Sequence, residues 1–176
     1  MDEKLRVFYE LYSRRRSVRE FEDREIEPEK LARLLTVLNM AQSAANRQPW
    51  HFIVIERKDR DELNGALRRE GFRDAPVIIA ACADPDNAWV RKADRRNYAW
   101  VDVTIAVTEM IGAATAEGLG TCWIASLDPE RVKNILGIPG HMDLVGLVAI
   151  GYPKEGLKKE NKDRKPLGEV VHHGKW

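Results

Sequence analysis

Apolar positions along this chain follow two periods. Leu31, Leu34, Leu35, Leu38 and Ala41 recur at the i, i+3, i+4, i+7 spacing of one helical face. Pro28, whose fixed φ suits a first helical turn, opens that stretch, so a helix is predicted over 28–42. A short helix is predicted over about 2–13, and an exposed amphipathic one over 59–70, stopped by Gly71. Residues 98–118 are apolar on nearly every face, which predicts a long central helix, buried all round and ended by Gly118 and Gly120. Asp128-Pro129 is a cap and first-turn signal for a helix stopping near Gly137. Apolar runs predict buried strands at 52–55 and 77–83 and a further strand at 144–151, and 121–126 is expected as a short strand. Residues 169–172 offer a last short strand after a basic, loop-like stretch over 156–165. Strictly alternating βαβ units are absent, so the expected class is α+β in layers, a single domain over residues 1–176.

Composition narrows the function classes. The chain has 176 residues, 44% of them hydrophobic and 32% charged, which is enough apolar material for one core and excludes wholesale disorder. Lys and Arg number 29 against 28 Asp and Glu, a net charge of +1, so a dedicated nucleic-acid module is not expected. The most apolar region, 101–116, contains Asp102 and Glu109, so no membrane span is expected. The opening Met1-Asp2-Glu3-Lys4-Leu5 lacks a basic-then-apolar signal pattern. Cys82 and Cys122 form neither a disulfide framework nor a metal cluster, and the expected compartment is the reducing cytoplasm.

Four segments carry candidate chemistry. Arg14-Arg15-Arg16-Ser17-Val18-Arg19 offers guanidinium groups that match phosphate oxygens, with a hydroxyl beside them; taken alone it reads more readily as a solvated basic turn. Ala41-Gln42-Ser43-Ala44-Ala45-Asn46-Arg47-Gln48-Pro49-Trp50 joins small residues, which admit a ligand ring close to the backbone, to amides that both donate and accept. Gly118-Leu119-Gly120-Thr121-Cys122-Trp123-Ile124-Ala125-Ser126 precedes a strand rather than opening a helix, so it is no dinucleotide fingerprint. The tail holds Lys158, Lys159, Lys162, Arg164 and Lys165, with Lys162 and Arg164 on one side of an extended segment. A further run, Arg91-Lys92-x-x-Arg95-Arg96, reads as a solvated loop at this charge balance. No nucleophile elbow, Walker loop or metal-ligand spacing is present, and Cys122 lacks a setting that would lower its pKa.

In their order and spacing these segments resemble the FMN-dependent nitroreductase family. Arg15-Arg16-Ser17-Val18-Arg19-x-Phe21 is similar to the family's opening motif, and Ala41 through Phe52 to its Ala-Pro-Ser-Ser-x-Asn-x-Gln-Pro-Trp-x-Phe stretch. Glu27-Pro28-Glu29-Lys30-Leu31, Asp102, Gly118-Leu119-Gly120-Thr121-Cys122-Trp123, Gly151-Tyr152-Pro153 and Lys162-x-Arg164-Lys165-Pro166-Leu167 also fit. The resemblance implies a three-layer fold, a central mixed β-sheet wrapped by helices. It also implies an intertwined homodimer whose C-terminal segment, about 156–176, extends onto the partner's sheet. Two FMN molecules would sit at the interface, each contacted by both chains.

On that resemblance Arg15, Arg16 and Ser17 hold the FMN phosphate and ribityl chain. Arg19 approaches the pyrimidine end of the ring, where a cation raises the reduction potential. Ser43, Ala44, Asn46 and Gln48 come from the other subunit, Ile124 and Ala125 supply backbone N–H groups near the ring, and Lys162 and Arg164 close on the phosphate. Gln42 and Ala44 depart from the family's Pro and Ser. A basic residue ahead of the second strand often meets the pyrimidine in this family; Arg68 and Arg69 fall there but are not counted among the site residues. The implied activity is hydride transfer from NADH or NADPH through FMN to a nitroaromatic, quinone or similar small-molecule acceptor, in ping-pong fashion and without a side-chain nucleophile. The alternatives are an FMN-dependent dehydrogenase or oxidase of a small metabolite, or a non-catalytic FMN-binding protein.

Overall fold

A computed structural model describes residues 2–157 and 162–176. Four strands form one sheet in the order β1-β2-β4-β3: β1 (Trp50–Glu56), β2 (Val77–Ala83), β3 (Gly120–Ile124) and β4 (Asp143–Gly151). β2 is buried at every position, as a central strand covered on both faces must be. Its alternation sorts the core. Val77, Ile79, Ala81 and Ala83 face one layer, while Ile78, Ala80 and Cys82 face the other.

The first layer is built by α2 (Pro28–Met40) and α4 (Ala99–Ala116). Leu34 and Leu38 of the predicted stripe are buried there, with Leu31 and Leu35 packed beside them. The opposite layer holds α3 (Asp61–Asn64) and α5 (Pro129–Leu136). α5 is stopped as expected, by Gly137 in the left-handed conformation, and Asp128 caps its start by accepting from the Arg131 N–H at 3.1 Å. α1 (Glu3–Arg14) has no buried residue and lies against α4, and α6 (Leu167–Val170) sits in the tail.

Four expectations change. The sheet, expected to be mixed, is antiparallel across its four strands; its one parallel contact among the described residues is the Ser17–Thr121 bridge at the β3 edge. The helix expected over 59–70 is one turn, Asp61–Asn64, flanked by 3-10 turns at Arg57–Asp59 and Glu70–Asp74. Gly65, a poor helix former, ends it well before Gly71, and the chain then bends so that Leu67 and Phe72 also reach the core. The strand expected at 169–172 is replaced by the short helix α6, which satisfies its backbone locally through Val171 N–H to Leu167 C=O at 2.9 Å. Finally, α4 is not buried all round in a single chain. Trp100, Val101, Thr104 and Thr108 leave one stripe of it exposed. α4 is long and apolar enough to cross a membrane, yet its buried residues pack on α2 and the sheet.

Candidate functional site at two ends of one helix

The Arg15–Arg19 segment leaves α1 and runs along the outer edge of β3. The Val18 N–H donates to the Thr121 carbonyl at 2.8 Å, and Val18 packs on Gly120, where a Cβ would come within 2.6 Å of the valine methyl. Glycine is therefore required at 120 by a close approach, beyond its role after the helix end. This seating turns Arg15 and Arg16 into a cavity of about 430 Å³ that Thr115, Leu119, Pro153 and Lys162 also line. Lys162 donates to the Tyr12 carbonyl. Burial, with the Arg15 and Arg164 charges close by, pushes the Lys162 ammonium below its ordinary pKa. Arg14, Arg15, Arg16 and Lys162 thus meet where, among the described residues, no carboxylate lines the cavity, and Arg164 lies near Lys162.

Arg16 also lines an adjoining hollow of about 400 Å³ with Ser17, Arg19, Glu20, Arg69 and Leu157. Gly71 makes this possible: a Cβ there would lie 2.2 Å from the Arg19 carbonyl oxygen, so only glycine lets the 70–74 turn close on Arg19 and bring Arg69 beside it. Arg69 is the site residue that sequence reasoning set aside. Its signal was its position ahead of the second strand, obscured because the expected helix there does not form. Cys122 lies near Arg19 and Arg69, but burial pushes its thiol up, and neither the two charges nor the Ser17 hydroxyl reverses this. It is an unreactive packing residue.

The second group sits elsewhere. After α2 the chain enters a 3-10 turn, Ala44–Asn46, and reaches β1 through Pro49. Ala45, Asn46 and Gln48 all have positive φ, near 50°, a region that Asn tolerates and the other two adopt under strain. Internal bonds hold this shape. The Gln48 N–H donates to Ser43 Oγ at 2.9 Å and its side-chain amide to the Asn46 carbonyl at 3.2 Å. Asp102, in the first turn of α4, anchors the loop by accepting from the Ala44 N–H at 3.0 Å. Asp102 is only 1% exposed and its Oδ2 has no partner among the described residues, so desolvation pushes its carboxyl pKa up.

The two groups lie at opposite ends of α4. Asp102 marks one end and Thr115, in the cation cavity, the other, separated by roughly 20 Å of helix axis. The structure therefore brings together Arg15, Arg16, Ser17, Arg19, Lys162 and Arg164. It separately gathers Ser43, Ala44, Asn46 and Gln48. Within one chain it does not join the two. Ile124, buried, ends β3, and Ala125, exposed, follows it beyond the last paired residue. Lys158 and Lys159 fall outside the described residues.

A sequence profile of the Nitroreductase family matches residues 12–69 and 57–152. A full-length relative from Archaeoglobus fulgidus, provisionally named an NADH dehydrogenase/NAD(P)H nitroreductase, is 32% identical over 100% of both chains. The chain belongs to the Nitroreductase family. The crystal structure of a nitroreductase family protein from Clostridium difficile 630 superposes with a TM-score of 0.86 at 31% identity, covering 95% of this chain and 98% of that one. The relatives are chemically diverse. A 5,6-dimethylbenzimidazole synthase of Rhodospirillum rubrum is 29% identical over 82% of this chain and 81% of its own length. Nitroreductase family proteins are flavin-dependent oxidoreductases, and the cation pockets can be tested against a flavin mononucleotide. They fit. Arg14, Arg15, Arg16 and Lys162 line one hollow, and Lys162 feels the Arg15 and Arg164 charges, an arrangement that a phosphate would neutralise. Arg16, Ser17, Arg19 and Arg69 continue a mainly cationic lining away from it, with Glu20 as the one carboxylate there among the described residues.

Proposed function

We propose that the protein is a homodimeric NAD(P)H-dependent FMN oxidoreductase that passes hydride equivalents to a nitroaromatic, quinone or related small acceptor. The observation that carries this reading is the gathering of Arg14, Arg15, Arg16 and Lys162 around one cavity with no carboxylate in its lining among the described residues, with the Arg164 charge close to Lys162. FMN, when bound, supplies the two-electron hydride chemistry, which is why no nucleophile or metal cluster is needed from the protein.

In this reading Arg15, Arg16, Ser17, Lys162 and Arg164 bind the phosphate and ribityl chain. Arg19 and Arg69 place positive charge at the pyrimidine end. Ser43, Ala44, Asn46 and Gln48 are contributed by the other subunit, since within one chain their loop is roughly 20 Å of helix away. Three exposed apolar features support the dimer: the outer stripe of α4, the aromatic face of α1 with Phe8, Tyr9 and Tyr12, and Leu167, Val170, Val171 and Trp176 of the tail. The outer edge of β1 is unpaired among the described residues, and a partner's tail on such an edge would supply the strand that the expected mixed sheet lacks. The reducing cytoplasm remains the proposed compartment, with Cys82 and Cys122 free.

The test is the visible spectrum of the protein after FMN loading and desalting, followed by anaerobic NADH or NADPH. A retained flavin band that bleaches is the expected result, with parallel double-reciprocal lines in steady state. A band that stays unbleached points to a flavoprotein without pyridine-nucleotide chemistry, and no retained band removes the cofactor assignment.

A further inference from the structure

The connection from β2 to α4 contains a basic hairpin that the proposed reaction leaves without a task. Val90 and Asn97 form an antiparallel bridge, and the Arg91 N–H donates to the Arg96 carbonyl at 2.9 Å. Arg91 is consumed internally. Its Nε donates to Asp94 Oδ1 at 2.8 Å and its Nη1 to the Tyr98 hydroxyl at 2.8 Å, while Trp89 packs edge-on against Tyr98 at 5.0 Å. Asp94 is thereby occupied, and Asp84 at the base is buried and bonded to Asn87. Lys92, Arg95 and Arg96 are left exposed on the rigid tip. Among the described residues their side chains make no hydrogen bond or close ion pair, although the Arg96 charge is near enough to Asp94 to help lower its pKa, and Asp86 is the other exposed carboxylate of the connection.

The base of this hairpin is tied to the amide-rich loop of the proposed site. The Asp84 N–H donates to the Pro49 carbonyl at 2.9 Å, directly after Gln48. The Asp102 N–H donates to the Tyr98 carbonyl, and Asp102 itself holds Ala44. Strain points the same way. The four non-glycine residues with positive φ among the described residues are Ala45, Asn46 and Gln48 of the loop and Arg95 of the hairpin. A long basic side chain held in the left-handed region, where Gly or Asn would be unstrained, is retained at a cost to the fold. Three exposed cations on a braced hairpin whose base is tied to that loop make a positive patch that attracts anions to this part of the surface.

We propose that Lys92, Arg95 and Arg96 recognise an oxyanion on the substrate entering the site, either the 2′-phosphate of NADPH or a sulfonate or carboxylate on the electron acceptor. This rests on the functional reading above for what enters, and on the hairpin geometry alone for what is recognised.

The experiment compares the FMN-loaded protein with the triple variant Lys92→Gln, Arg95→Asn, Arg96→Gln. Asn tolerates the left-handed region, and the Arg91–Asp94–Tyr98 brace is untouched, so the hairpin keeps its shape. Calorimetric titration with adenosine 2′,5′-bisphosphate and with 5′-AMP reads recognition without turnover. Steady-state kinetics then compare NADPH with NADH, and a sulfonated naphthoquinone with a neutral one. At least one anionic ligand should be favoured about tenfold at low ionic strength, less at high salt, and the triple variant should erase that preference. Loss confined to the nucleotide pair assigns the oxyanion to the donor, and loss confined to the quinone pair assigns it to the acceptor. Unchanged preferences in the variant, or none in the parent protein, overturn the proposal. So does salt-sensitive DNA retention lost in the variant while small-anion preferences persist. If flavin is not retained, the functional reading fails, whereas calorimetric titration of the parent and the triple variant with the bisphosphate and with the sulfonated naphthoquinone still decides the hairpin.

Discussion

The two ends of α4 solve different problems. At the Thr115 end, the chain assembles charge. Arg15, Arg16 and Lys162 are long, flexible and mutually repelling, and their placement comes from the edge of β3 and a glycine at 120. At the Asp102 end it assembles shape, with small residues and amides held in left-handed backbone by one buried carboxylate. The first kind of site gains from an anion that relieves repulsion. The second gains from being rigid before anything binds. α2 spans the same two ends and is pinned at both. Near the cations, the Tyr152 hydroxyl donates to Glu27, and Lys30 donates to the Tyr152 hydroxyl at 2.7 Å and to the Glu117 carbonyl at 3.3 Å. At its other end, the helix leads into the loop held by Asp102.

Removing charge should have the larger effect. Arg15→Ala combined with Arg16→Ala should weaken FMN binding by about 100-fold, the scale of one to two charge-assisted phosphate contacts, read by fluorescence titration. The same change should lift the Lys162 pKa back toward its ordinary value, because a repelling neighbour has gone. Retention of flavin at parental affinity would break the comparison.

Loosening shape should cost less. Asp102→Ala should weaken FMN binding by about tenfold by freeing the Ala44 turn, whereas Asp102→Asn keeps an acceptor for the Ala44 N–H and should bind nearly as the parent does. The Asp102 pKa is raised by burial, so the carboxylate destabilises the fold increasingly as pH climbs through that raised value. Asp102→Asn should therefore flatten the decline of stability with pH on the acid side, measured by thermal melts. Equal flavin affinity in the Ala and Asn variants would show that the loop needs no anchor.

The smallest effect concerns the brace of α2. The Tyr152 hydrogen bond, with Lys30 and Arg24 nearby, lowers Glu27 from 4.5 to about 2. A depressed carboxylate stabilises the fold above its unfolded pKa, and that stability is lost as pH falls from about 4.5 toward 2. Glu27→Gln should lower the melting temperature slightly at neutral pH and remove part of the acid-side decline in that window, with flavin affinity unchanged. A weakened flavin affinity instead would mean that α2 transmits position from one end to the other.

Much was legible without coordinates because it is local. The α2 stripe, the Asp128 cap, the Gly137 stop and the strand runs at 77–83 and 144–151 follow from periods and turn chemistry acting over a few residues. The cationic motif and the amide-rich loop were visible as residue types at a spacing. The 59–70 stretch misled because Leu63 and Leu67 mimic a helical face, while Gly65 and the core's demand for Phe72 bend the chain. Arg69 was hidden for the same reason.

The order of residues by itself determined the α2 and α5 helices, the apolar runs that became β2 and β4, and which chemistry the chain can offer, since propensity and periodicity are written within a turn or two. Tertiary structure alone decided what those residues become together. It set Arg69 beside Arg19 through the missing side chain of Gly71, hung the loop on Asp102, and left the charged and shaped halves of the site at opposite ends of a helix. Contacts of that kind join positions far apart in the chain, and their energy depends on packing that no local pattern records.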